Sequence, residues 1–233
     1  MKKYFKNRKI LEEGNVYSKS MEHDACGVGL IASTEGKKSR KVVEYGINAL
    51  KAVFHRGAVD ADGKTGDGAG IHLEIPSDFF VEKIELTGHK HDGSEICIGM
   101  IFLPRNNYDA QENARTLVES ELTKSDFSIH GWRQVPVNTK VLREKANFTR
   151  PEITQVLFKN NNKNLSGKEL ERKLYESRRK IEKEAIKNAI EGFYICSLSS
   201  KSIIYKGMFL AESIADYYID LKDVRFISRY AIF

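Results

Sequence analysis

The sequence predicts a layered domain of mixed α and β structure, and three observations lead there. Short β-prone runs alternate with segments of helical apolar periodicity along most of the 233 residues. A chain of this length buries about 70% of its unfolded surface, enough for a substantial core. There is no internal repeat, which sets aside solenoids and propellers.

The elements follow in order. Residues 1–25 read as a polar, lysine-rich leader without regular structure. Residues 28–32 form a strand with apolar groups on both faces. Ser39 caps a helix in which Val42, Val43, Ile47, Leu50, Val53 and Phe54 recur at helical spacing. A loop rich in Gly and Asp spans 55–70, and residues 71–75 alternate as a strand. Pro76 and Ser77 start a short helix through Phe79, Phe80 and Ile84. Residues 95–103 are a strand closed by Pro104.

Residues 108–124 are helical, with Ala114, Leu117, Val118 and Leu122 on one stripe. Residues 153–158 read as a strand. The helix over 167–190 opens on a capping box of Ser166 and Glu169 and carries Leu170, Leu174, Ile181 and Ala185 on its apolar face. Residues 193–198 and 202–205 form a strand pair around Ser199-Ser200-Lys201. A short helix near 211–217 precedes a last strand ending at Phe233. Because the chain stops inside an apolar β-prone run, it is expected to be the front portion of something longer.

Composition narrows the function classes. Hydrophobic residues make up 41% and charged residues 30%, ordinary for a soluble globular protein. No apolar run approaches the ~20 residues of a bilayer-spanning helix, and the basic start lacks a following segment of signal-peptide length. Three widely spaced cysteines, Cys26, Cys97 and Cys196, make neither a disulfide framework nor a zinc pattern, so a cytoplasmic location is expected. The net charge is +6, with five of the 38 basic residues in the first nine positions, and neither nucleic acid nor membrane is expected as a partner.

Cys26 is the candidate nucleophile. In Asp24-Ala25-Cys26-Gly27-Val28-Gly29-Leu30 a cysteine opens an apolar strand just after the leader. Were the chain to begin at Cys26, its free α-amine would lie beside its own thiol, so that base and nucleophile come in one residue. The local pattern alone leaves a small buried core cysteine open. Cys97 and Cys196 fall in strands and read as core. His89 and His91 have no metal-ligand spacing.

The glycine-rich stretch 63–70 fits neither phosphate-binding motif. A P-loop needs glycine where Ala58 stands, and a dinucleotide fingerprint from Gly66 meets Ile71 where its third glycine belongs. Positive φ and close backbone packing are the expected uses of these glycines.

Three ordered blocks carry a resemblance: Glu22-His23-Asp24-Ala25-Cys26-Gly27-Val28-Gly29-Leu30-Ile31-Ala32, His55-Arg56-Gly57-Ala58, and Asp60 through Gly70. Trp132-Arg133-Gln134-Val135-Pro136, Phe193 through Ser199 and Tyr205-Lys206-Gly207-Met208 extend it. From about residue 20 onward the chain resembles the class II, N-terminal-nucleophile glutamine amidotransferase domain of the glutamate synthase large-subunit family.

The resemblance implies an α+β fold, a four-layer αββα sandwich of the Ntn-hydrolase type, incomplete at its C-terminus. It implies a leader over 1–25, the front portion of the amidotransferase domain over 26–233, and exposure of Cys26 by removal of the leader. Glutamine would be hydrolysed to glutamate and ammonia, with Cys26 as nucleophile and Arg56 and Gly27 positioning it. The basic pair His55-Arg56 also suits a plain helix C-terminus.

No cofactor is implied in this chain; FMN and an iron–sulfur cluster are implied in downstream domains. Those domains, and a small reductase subunit or ferredoxin, are the implied partners beside L-glutamine. The family's substrate-clamping arginine and Asn-Gly oxyanion pair would lie beyond Phe233, so residues 1–233 alone are expected to have little glutaminase activity. A catalytically incompetent scaffold is the alternative reading.

Overall fold

The computed structural model describes residues 2–14, 27–53, 59, 63 and 65–233. The first described element is a correction: where no regular structure was expected, Lys2–Glu13 forms helix α1. Its Lys, Arg, Leu and Glu have good helix propensity, neither Gly nor Pro interrupts them, and Lys9 lies 3.8 Å from Glu13 one turn on.

Two four-stranded sheets form the centre, and every strand pair is antiparallel. The first sheet takes the order β1 (Leu30–Ala32), β8 (Tyr230–Ile232), β2 (Ala69–Glu74) and β7 (Ser202–Gly207). The second takes β4 (Phe127–Gln134), β5 (Glu152–Asn160), β3 (Ile96–Leu103) and β6 (Tyr194–Ser199). The expected strand pair around Ser200 is present, but its two arms belong to different sheets: β6 edges one and β7 the other, with Ser200 and Lys201 turning the chain between them.

Helix α2 (Arg40–Ala52) covers the first sheet with Val42, Val43, Ile47 and Leu50, and Ser39 caps it by accepting from the Val42 amide. Helices α4 (Tyr108–Lys124) and α6 (Gly167–Lys187) lie side by side on the outer face of the second sheet. Helix, sheet, sheet and helix pair succeed one another, the α+β sandwich expected. Helix α3 (Ser77–Glu85) drives Phe79 and Phe80 into the inner core against Phe226, with ring centroids 5.0–6.4 Å apart. Two short helices, α5 (Glu144–Thr149) and α7 (Ile214–Tyr217), complete the element order.

Strand β3 separates the two cores. Ile98 and Met100 face the inner one, while Cys97, Ile101 and Leu103 meet Ala114, Val118 and Leu122 of α4 and Leu170, Leu174 and Ile181 of α6. Burial on both faces explains its unbroken apolar run.

Two local expectations need adjusting. The capping box at Ser166 and Glu169 does not form, since the Ser166 side chain makes no cap hydrogen bond. Gly167 beside it is left-handed (φ +59), which turns the chain sharply at the helix start. Helix α6 also ends at Lys187 rather than 190, where Ala189 adopts φ +51 and closes the last turn. Strand β4 escaped the sequence reading because a bulge between Ile129 and Gly131 breaks its alternation, Gly131 taking φ +147.

Gly46 sets how close α2 approaches the first sheet. A Cβ there would stand 2.4 Å from the Ala231 Cβ and 3.3 Å from the Ile71 Cδ1. Glycine to alanine in a helix interior ordinarily stabilises by about 0.5–1 kcal/mol. Here the Ala231 methyl has no rotamer to yield, so overpacking of about 1–3 kcal/mol dominates. Gly46→Ala is expected to lower stability by about 1–2 kcal/mol, read as a lower urea midpoint; a raised midpoint would contradict this packing.

Candidate active site

Cys26, His55 and Arg56 lie outside the described residues, whereas Gly27 is described and half-buried at the approach to β1. The backbone at Gly29 exchanges hydrogen bonds with Phe233, at 2.7 Å and 3.0 Å. A Cβ on Gly29 would stand 2.4 Å from the Phe233 ring, so any larger residue would make that ring swing aside.

The glycine-rich segment runs alongside. Val59 and Gly66 form a β-bridge, and Gly68 takes φ +132 as the chain enters β2. Gly70 lies against β7, where a Cβ would be 3.0 Å from the Lys206 Cβ. Close packing and positive φ, the uses expected from the sequence, are what these glycines supply.

The three segments enclose a cleft of ≈ 680 Å³ lined by Val28, Asp67, Gly68, Lys206, Met208 and Phe233, with Phe102 and Tyr194 facing from the second sheet. Lys206 Nζ donates to the Tyr194 hydroxyl at 2.6 Å and lies 4.4 Å from its ring centroid, so a cation and a phenol are joined on one wall of the cleft. His72, half-buried at the same cleft, packs edge-on against Tyr230 with ring centroids 5.8 Å apart. Burial lowers its pKa, which keeps the imidazole neutral at physiological pH. Phe102 and His72 were missed in the sequence because their position depends on how the sheets stack.

The other two thiols are core, as read. Cys97 and Cys196 are buried, and burial pushes Cys196 up to about 11 and Cys97 higher still. Neither is a thiolate at physiological pH. Among the described residues no group of three or more His, Cys, Asp or Glu side chains is placed to hold a metal ion, and no helix is long and apolar enough to cross a membrane.

The described residues thus form a helix–sheet–sheet–helix sandwich with a cleft at the head of a glycine-flanked strand. Residues 26–233 match the family of class-II glutamine amidotransferases, and the chain belongs to that family. It is 53% identical over 227 residues to the NADPH glutamate synthase large chain of Azospirillum brasilense, covering 97% of this chain and 15% of that protein. It is 38% identical over 213 residues to ferredoxin-dependent glutamate synthase 2 of a Synechocystis species, and 37% over 214 residues to the chloroplastic ferredoxin-dependent enzyme of Spinacia oleracea. Each of these two matches covers 91% of this chain and 13% of the relative. The chain thus spans only about a seventh of the relatives' length.

Proposed function

We propose that this chain supplies the glutamine-hydrolysing part of a glutamate synthase, with Cys26 as the N-terminal nucleophile once residues 1–25 are removed. The observation that carries the reading is the family match over 26–233, whose first residue is Cys26. Similarity to both NADPH and ferredoxin-dependent synthases supports the wider assignment. Ammonia would pass to the remaining polypeptide and condense with 2-oxoglutarate with loss of water, two electrons from a nicotinamide or ferredoxin reducing the imine to glutamate; FMN and an iron–sulfur cluster outside this chain would carry those electrons.

The chemistry follows from one residue. An α-amine of reference pKa near ~8 is neutral in a useful fraction at physiological pH and takes the thiol proton. The thiolate bonds to the amide carbon of glutamine, and donors aimed at the developing oxyanion stabilise it. The proton held by the amine passes to the amide nitrogen, the C–N bond breaks and ammonia leaves. Water then adds to the thioester, the C–S bond breaks, and glutamate departs. Arg56 and the side-chain-free Gly27 hold the backbone around the nucleophile, and the cleft beside Gly27–Gly29 receives the amide end of the substrate.

A glutamine analogue carrying an electrophilic carbon in place of the amide tests this in the full-length synthase. One equivalent is expected on a peptide that begins at Cys26, with Cys97 and Cys196 unmodified. An active enzyme that retains residues ahead of Cys26, or a label on either buried thiol, would overturn the assignment.

A further inference from the structure

Away from that cleft, a second one of ≈ 740 Å³ opens between the start of α4 and strands β4 and β5. Four arginines line it, Arg105, Arg115, Arg133 and Arg150, against a single lining carboxylate, Glu152. Two of the guanidiniums are engaged: Arg133 is held by Asp220 and Arg115 by Glu112. Among the described residues Arg105 and Arg150 pair with no carboxylate. Both are held by α5 instead: Arg150 Nε donates to Asn147 Oδ1 at 2.8 Å, and Arg105 Nη2 reaches the Phe148 carbonyl at 3.5 Å.

Arg105 and Arg150, both half-buried residues held by uncharged partners, face one cleft with Glu152 as its single lining carboxylate, leaving a net positive charge that a bound anion offsets. Trp132 forms an apolar wall beside them. Its indole N–H donates to Glu119 at 2.6 Å, and the Arg115 guanidinium lies 5.9 Å from its ring centroid. The exposed Tyr108 ring stands at the rim. The volume falls in the range of small-molecule sites and exceeds what a lone inorganic anion fills.

We infer that this cleft binds a small organic polyphosphate, its phosphates on Arg105 and Arg150 and its apolar part on Trp132. Guanidinium forks match phosphate oxygens in pairs, and an aromatic face accepts a planar ring. The site is separate from the Gly27–Gly29 cleft and takes no part in amide hydrolysis, so it stands or falls independently of the proposed function.

Trp132 is the only tryptophan in the 233 residues, which makes its emission a local reporter. Titration with adenosine diphosphate, and separately with inorganic pyrophosphate, is expected to change that emission saturably at submillimolar concentration. Sodium sulfate at matched ionic strength is expected to give no saturable change. Arg105→Gln and Arg150→Gln should each weaken binding about tenfold or more while leaving the unfolding midpoint unchanged. Calorimetry of the same titrations on the full-length synthase provides a readout that does not depend on fluorescence. An equal response to sulfate, an absent signal and heat, or unchanged affinity in both variants would overturn the inference.

Discussion

Replacing Cys26 by alanine is expected to lower glutamine-dependent ammonia release by about 10⁴-fold or more in the full-length synthase. The size follows from what is removed: without the thiol no thioester forms, and only the binding and oxyanion terms remain. Cys26→Ser should recover little, because a hydroxyl is far harder for an amine of pKa near ~8 to deprotonate. Synthesis from added ammonia should persist in both variants, since the proposed function puts the ammonia-consuming step outside this chain. The rate with glutamine should also fall as pH drops below the amine's pKa, because protonation removes the base. An alanine variant that kept a tenth of the glutamine-dependent rate would sink the nucleophile assignment.

The largest stability effect is expected at Asp220. Arg133 grips this buried carboxylate in a fork, with Nη1 at 2.8 Å and Nη2 at 2.6 Å. The Tyr205 hydroxyl donates to the same carboxylate at 3.1 Å. Gln155 completes the ring by accepting from Arg133 at 2.7 Å and donating to the Tyr205 hydroxyl at 3.3 Å. Burial, reinforced by the neighbouring Asp220 charge, holds the Tyr205 phenol far above its ordinary range, so it remains a donor.

Asp220→Ala leaves the largely buried Arg133 charge without its paired carboxylate and the Tyr205 hydroxyl without its acceptor. About 3–5 kcal/mol of destabilisation follows from breaking such a pair on one side. Removing both partners, as Arg133→Met with Asp220→Leu, should restore much of the loss, because the cost lies in the orphaned charge rather than in the pair itself. Chemical denaturation of the single and double variants decides it. A single-variant loss under about 1 kcal/mol would mean that water reaches the guanidinium and the ring is not closed.

Much of this architecture was legible in the residues. Val42, Val43, Ile47 and Leu50 announced the buried face of α2, and Ala114, Val118 and Leu122 that of α4, because each helix turns one stripe toward its sheet. The unbroken apolar run of β3 marked a strand covered on both sides. The strand head and the glycine-rich segment beside the cleft were legible, and the blocks around them pointed to the family. Less legible were α1, whose described side chains are mostly exposed, and β4, whose bulge at Gly131 disguises its period. Ser166 and Glu169 had the spacing of a capping box, yet the left-handed Gly167 between them directs the backbone elsewhere.

The sequence by itself determined the order of helices and strands, which of their faces are apolar, and the family to which Cys26 and its neighbours point. Only the tertiary structure decided that β6 and β7 edge different sheets, that Arg133 closes on Asp220 across 87 positions, and that Arg105, Arg115 and Arg150 line one cleft with Trp132. Local periodicity records which side of an element avoids water, and that is a property of neighbouring residues. Polar groups far apart in the chain meet only after loops have closed and layers have packed, so their pairing is written in no single stretch of sequence.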